Sequence, residues 1–111
     1  METSCFGRSG NDPHAVAISR GIPKWYTGAR YMPLAPSWAL LNEKREDVFR
    51  EQYLRQLAHL DPHTVLNDLG PDAILLCWER PGVFCHRRVG AEWLESETGI
   101  PVPEVSTAKG E

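Results

Sequence analysis

The amino-acid sequence predicts an α/β domain built on a mainly parallel sheet, and three observations predict it. Ala73-Ile74-Leu75-Leu76-Cys77 is a continuous apolar run of strand length without polar alternation, the pattern of a strand covered on both faces. Two shorter apolar runs near the start, Thr3-Ser4-Cys5-Phe6-Gly7 and Ala15-Val16-Ala17-Ile18-Ser19, are candidate neighbours for it. The remaining long stretches carry the 3.6-residue spacing of amphipathic helices.

Taken in order, the Thr3 to Gly7 run breaks at Gly7-Arg8-Ser9-Gly10. The Ala15 to Ser19 run starts after Asp12-Pro13 and stops at Arg20-Gly21-Ile22-Pro23. Residues 23 to 38 combine Pro23, Pro33 and Pro36 with Trp25, Tyr26, Tyr31 and Trp38. Proline lacks the N–H that a helix interior or central strand needs, so this segment is neither; it is too apolar for a solvated linker, so it packs on the fold as a lid or wall. Its aromatic rings either cover core or offer a stacking surface for a planar ligand. From Glu43, Phe49, Tyr53, Leu57 and Leu60 fall on one helical stripe, with Glu46 and Arg50 at the favourable i to i+4 spacing. Asp61 caps a second short helix with Pro62 at its first position, and Val65, Leu66 and Leu69 form its apolar face. His59 and His63 are four apart, but Pro62 separates them onto two helices, which reads as solvated histidines near a turn. A last helix follows Cys85, carries Val89, Trp93 and Leu94 on its apolar stripe, and stops at Gly99, a natural left-handed cap. Ile100 to Val105 alternates but holds two prolines, so it is at most an edge strand.

The 111 residues amount to one domain, expected over residues 1–105, with a disordered polar tail over 106–111. With 41% hydrophobic and 24% charged residues, the composition excludes general disorder. A formal charge of −3 excludes coating of nucleic acid by bulk electrostatics and leaves room for a local basic patch from Arg80, Arg87 and Arg88. No window approaches the roughly 18 apolar residues of a membrane helix, and the opening METSCFGRSGNDPH lacks the apolar core of a signal peptide. The expectation is a soluble, cytoplasmic protein with no membrane partner. Three cysteines, an odd number without dense spacing, fit a reducing compartment better than a disulfide framework. Because a small sheet leaves edges to cover, a homo-oligomer is expected.

Two cysteines, a histidine, a glutamate and three arginines gather between the Ala73 strand and the last helix, in a loop holding Arg80-Pro81-Gly82. Open α/β sheets bind ligands where strand carboxyl ends meet helix amino ends. The groups Gly7-Arg8-Ser9 and Ser19-Arg20-Gly21 would stand beside Cys77 and Glu79 if all three strands are parallel neighbours. Three chemistries compete. An anion, foremost a nucleotide, would be held by the unpaired N–H groups of the last helix and would neutralise Arg87 and Arg88, whose charges oppose the helix dipole. Alternatively, Cys85 beside His86 and Arg87 is an activated thiol, with Glu79 or His86 carrying the proton, while Cys77 is a buried strand residue. Metal ranks last: Cys77, Cys85 and His86 are soft ligands, but their spacing matches no zinc knuckle, and adjacent Cys and His rarely point the same way. No cofactor and no metal is expected.

The motifs Leu75-Leu76-Cys77-Trp78-Glu79 and Phe84-Cys85-His86-Arg87, with Ala91-Glu92-Trp93-Leu94, resemble the domain-of-unknown-function family 488 (DUF488), small proteins of prokaryotes and phages. Ile18-Ser19-Arg20-Gly21, Tyr31-Met32-Pro33-Leu34-Ala35-Pro36 and Phe49-Arg50-Glu51-Gln52-Tyr53 share the resemblance, which spans most of the chain. It implies a small three-layer, Rossmann-like α/β fold, mainly parallel, with helices on both faces and two family cysteines, here Cys77 and Cys85. It implies no particular activity.

The sequence therefore leads to a small nucleotide-binding protein, for instance one that sequesters a nucleotide signal in a phage setting. Its pocket would be formed by Cys77, Trp78, Glu79, Cys85, His86 and Arg87 together with Arg8, Ser9 and Arg20, and one or more of Trp25, Tyr26 and Tyr31 would stack on the base. The alternatives are an enzyme acting on a nucleotide or N-glycosidic bond, with Glu79 or Cys85 as the reacting group, and a protein interaction module whose interface is the aromatic segment.

Overall fold

A computed structural model describes residues 1–79 and 84–105. The Arg80-Pro81-Gly82 loop and the 106–111 tail lie outside the described residues. The chain runs through strand β1 (Glu2–Cys5), helix α1 (Phe6–Ser9), strands β2 (Ala15–Ala17) and β3 (Ala29–Arg30), and a 3-10 turn (Met32–Leu34). It continues through helices α2 (Trp38–Leu41), α3 (Glu46–Leu57) and α4 (Pro62–Leu69), strand β4 (Ile74–Cys77) and helix α5 (His86–Thr98). The sheet order is β1-β4-β2-β3 and every described pairing is parallel. The apolar run that is last in sequence is thus central in space, pairing Thr3 with Leu75 on one side and Val16 with Leu75 on the other.

Strand alternation divides the core between two faces. Leu75 packs with Phe49, Tyr53, Leu57, Val65, Val89 and Leu94 under α3, α4 and α5. Its neighbour Leu76 points to the opposite side and packs with Phe6, Ala15, Ala17 and Tyr26. Both leucines are fully buried, worth about 1.5–3 kcal/mol each over an exposed position. The three layers are unequal, because among the described residues the second face is covered by the short α1 and the segment bearing Ile22 and Tyr26.

Several element boundaries differ from the sequence reading. β1 stops at Cys5, and Phe6 starts α1 in place of continuing a strand to Gly7. α3 begins at Glu46 and not at Glu43, because Glu43 turns back on Arg45, accepting from its backbone N–H and its Nε, both at 3.0 Å. Leu60 falls beyond the end of α3 and is only partly buried. Two other expectations match the structure. Asp61 Oδ1 accepts from the N–H groups of His63 and Thr64 with Pro62 at the first helical position, and Gly99 ends α5 with φ 75°. The prolines of Pro101 and Pro103 limit the following segment to one parallel bridge, Thr3 with Glu104, beside β1. Among the described residues no helix is long and apolar enough to cross a membrane.

Candidate functional site

The carboxyl ends of β2 and β4 open into a cleft of about 430 Å³. Ser19, Arg20 and Gly21 leave β2 along one side; Trp78 and Glu79 leave β4 along the floor. Cys85 and His86, at the amino end of α5, close the back, and Trp38 with the 41–46 turn forms the outer wall. Parallel strands make this arrangement, since adjacent chains leave the sheet in the same direction and diverge at one edge. The position of Trp78 is set by its indole Nε1, which donates to the Gly21 carbonyl at 3.1 Å. The same carbonyl accepts from Ser19 Oγ at 2.6 Å. Arg20 is anchored through Nε to the Pro36 carbonyl at 2.7 Å, which ties the proline-rich segment to the cleft edge.

Cys77, Cys85 and His86 converge at the bottom of this cleft, all three buried. The Cys77 and Cys85 sulfurs are joined as a disulfide, with their Cα atoms 7.3 Å apart, where the sequence reading favoured reduced cysteines; Cys5 is free and buried. His86 Nε2 lies 2.6 Å from the Ile18 carbonyl and Nδ1 lies 3.8 Å from Cys85 Sγ. A carbonyl only accepts, so Nε2 carries the proton and Nδ1 presents its lone pair to the sulfur. Burial, reinforced by the charge of neighbouring Arg87 and only partly opposed by the Ile18 hydrogen bond, pushes the imidazole down to about 4, so it is neutral at pH 7. The expectation that adjacent cysteine and histidine point apart is corrected here. Cys85 has extended backbone (φ −151°, ψ 146°) and His86 is the first helical residue. The change of backbone between them swings the two side chains to the same side.

Arg87 does not reach the cleft as the sequence reading expected. Only 1% exposed, its guanidinium forms a paired contact with Glu104, at 3.1 Å from Nε and 2.7 Å from NH2. NH1 donates to Cys77 Sγ at 3.0 Å and to the Glu79 carbonyl at 2.6 Å. Arg88 donates to Thr3 Oγ1 and the Val102 carbonyl. The two cations opposing the α5 dipole are therefore answered by a carboxylate and a carbonyl of the chain's own final segment and not by a ligand. Burial raises the Glu104 carboxyl, but the hydrogen bonds from Arg87 and Thr3, with the charges of Arg87 and Arg88, outweigh it and hold the group below the usual carboxylate range. Arg87 is a positioning group: it fixes the Cys77 sulfur and the main chain of Glu79 from behind.

Of the other predicted residues, Arg20, Cys77, Trp78, Glu79, Cys85 and His86 line the one cleft. Arg8, Ser9 and Trp25 line a separate, more polar hollow of about 340 Å³ around α1. Arg8 and Ser9 stand apart because they follow β1, which the central β4 separates from β2. Ser9 Oγ meets Ser4 Oγ at 2.7 Å, and Trp25 lies over Gly10 so closely that any added Cβ would strike its ring. Tyr26 is a core residue, its ring edge-on to Phe6 and its hydroxyl donating to the Ala29 carbonyl at 2.6 Å. Tyr31 donates to Asp68 Oδ2 at 2.7 Å on the outer side of α4; burial first, then Asp68, pushes its hydroxyl up to about 12. The aromatic groups that do border the cleft are Trp38, Trp78, Phe49 and Phe84. Phe84 stands edge-on to Phe49 at 5.7 Å, with the Arg50 guanidinium over its ring at 5.9 Å. Lys44 and Arg45 were hidden from sequence reasoning inside an apparently continuous helix. The break that exposes them is signalled only by Glu43 preceding Arg45 by two residues.

Comparison with curated proteins and with solved structures finds no match. Comparison with protein families finds one described as the active DUF488-N3 subclade (DUF488-N3a), matching residues 12–98 and so covering β2, the 41–46 turn, β4 and α5. With the match extending over well more than half of the 111 residues, and with both convergent cysteines inside it, the chain belongs to the DUF488 family.

Proposed function

We propose that the cleft binds a nucleotide or nucleotide derivative. The observation that carries this reading is the pair of tryptophans bordering it: Trp38 is 69% exposed and Trp78 52% exposed, and Leu41 beside them is also exposed. Large aromatic surface left in water at the mouth of a concave site marks a ligand that covers it. A planar base suits two indoles, since base–aromatic stacking contributes about 1–3 kcal/mol per base. Arg20 and Lys44 border the same space and supply positive charge for a phosphate, Arg45 beside them being held by Glu43; the amino end of α5 adds the positive end of its dipole. In this reading the protein sequesters a nucleotide signal, as a phage protein would, in a reducing cytoplasm. Its exposed edge strand β3 offers the surface for self-association.

The test is calorimetric titration of the purified protein with purine and pyrimidine mono-, di- and triphosphates, followed by Trp38→Ala and Trp78→Ala. Loss of one stacking ring should weaken binding by about 5- to 150-fold. Absence of any heat with every nucleotide at millimolar concentration overturns the reading. A second reading, an enzyme acting on the bound nucleotide or its N-glycosidic bond, is favoured by the description of the matched family as active and by exposed Glu79 on the cleft floor. Glu79→Gln should then keep binding and lose turnover; a wild-type protein that leaves every bound nucleotide intact excludes this reading.

A further inference from the structure

We propose that Cys77 Sγ, Cys85 Sγ and His86 Nδ1 form a binding site for a zinc-class divalent cation on the floor of the cleft, with its fourth coordination position open to the cleft. The ligand atoms of these three residues all lie within 4.8 Å of one another. A tetrahedral zinc with Zn–S about 2.3 Å and Zn–N about 2.0–2.1 Å spaces two sulfurs about 3.8 Å apart and a sulfur and nitrogen about 3.5 Å apart. The 3.8 Å between Cys85 Sγ and His86 Nδ1 is close to that value. The Cα atoms of the two cysteines are 7.3 Å apart, beyond the about 4.4–6.8 Å that a disulfide ordinarily spans. The two sulfurs are joined in this structure; the wide backbone separation suits the reduced pair, two sulfurs facing a common ion.

The surroundings are those of a ligand set held ready. A metal-binding imidazole is oriented by donating its other N–H to a carbonyl or carboxylate, and His86 Nε2 donates to the Ile18 carbonyl at 2.6 Å. Arg87 NH1 donates to Cys77 Sγ at 3.0 Å, which fixes where this sulfur stands relative to Cys85 and His86. All three side chains are buried yet border the cleft, so one face of the ion remains accessible. Three protein ligands with an open fourth position are the arrangement of zinc sites that take a water or a ligand atom. An anionic group of the cleft's occupant is the natural fourth ligand. The site goes beyond the nucleotide reading and does not depend on it.

The test uses the full chain purified with a non-thiol reductant. Zinc content is measured by elemental mass spectrometry, cobalt(II) is titrated into the chelated protein, and thiols are counted after denaturation of protein prepared without reductant. Expected are one zinc per chain, the visible bands of tetrahedral cobalt with a thiolate charge-transfer band of two-sulfur intensity, and three titratable thiols once zinc is removed. Cys85→Ser and His86→Gln should weaken cobalt binding by more than the about 10- to 100-fold that losing an outer-shell partner costs. If Cys85→Ser does not fold, His86→Gln and the two-sulfur intensity of the wild type decide the matter. Failure to load zinc or cobalt, a single free thiol in the metal-free protein, or unchanged cobalt spectra in both variants overturns the proposal. Nucleotide titration of the chelated protein is read separately, so either proposal can fail while the other stands.

Discussion

Glu104→Gln should destabilise the whole domain, although Glu104 lies in the final segment and borders no part of the cleft. Arg87 is 1% exposed and Glu104 is its only anionic partner among the described residues, through two contacts at 3.1 and 2.7 Å. Removing one member of a buried pair typically costs about 3–5 kcal/mol, because the other charge stays buried without compensation. Glu104 keeps 23% of its side chain exposed and glutamine retains one acceptor, which places the expected loss nearer about 2–3 kcal/mol. That is a large share of the about 5–15 kcal/mol of a domain this size. Urea unfolding followed by tryptophan fluorescence should show the midpoint falling by roughly 1.3–2 M at a slope of about 1.5 kcal/mol/M. The exposed pair Arg50–Glu92, 45% and 55% exposed, is the control, and Glu92→Gln should change stability by no more than about 0.5 kcal/mol. A Glu104→Gln protein as stable as the Glu92→Gln control would refute the view that Arg87 relies on Glu104 for its charge balance.

The same pair makes a pH prediction. The folded Glu104 carboxyl is held below its unfolded value, so its contribution is complete above about pH 4.5 and is lost as pH falls through the folded value; wild type and Glu104→Gln should converge in urea midpoint on acidification below that point. Tyr53 is fully buried and donates to the Leu34 carbonyl at 2.6 Å, so Tyr53→Phe strands a carbonyl that α3 otherwise ties to the proline-rich segment. About 1–2 kcal/mol should be lost in the same unfolding assay. Asp61→Ala removes the acceptor for two N–H groups at the start of α4; about 1 kcal/mol of stability should be lost, with faster amide exchange at His63 and Thr64 by nuclear magnetic resonance.

Local chemistry was legible in the sequence wherever neighbouring residues decide the outcome. The β4 run, the stripe of Phe49, Tyr53 and Leu57, the Asp61-Pro62 cap and the Gly99 stop each depend on residues a few positions apart. Placement of Cys77, Glu79, Cys85 and His86 at one cleft was equally legible, because a strand followed by a short connection and a helix puts them there whatever surrounds them. Family membership followed from the same stretch. What tertiary structure alone decided is which charges are used up and which aromatics reach the ligand space. Arg87 looked available for an anion until Glu104, 17 residues away, met it beside β1. Tyr26 and Trp25 looked like stacking rings until one entered the core and the other lay over Gly10, while Trp38 and Phe84 reached the cleft. The convergence of Cys85 and His86 depended on the backbone changing from extended to helical between them. Periodicity and capping act within a few residues, whereas charge compensation and ring placement depend on segments far apart in the chain that meet only when the sheet is assembled.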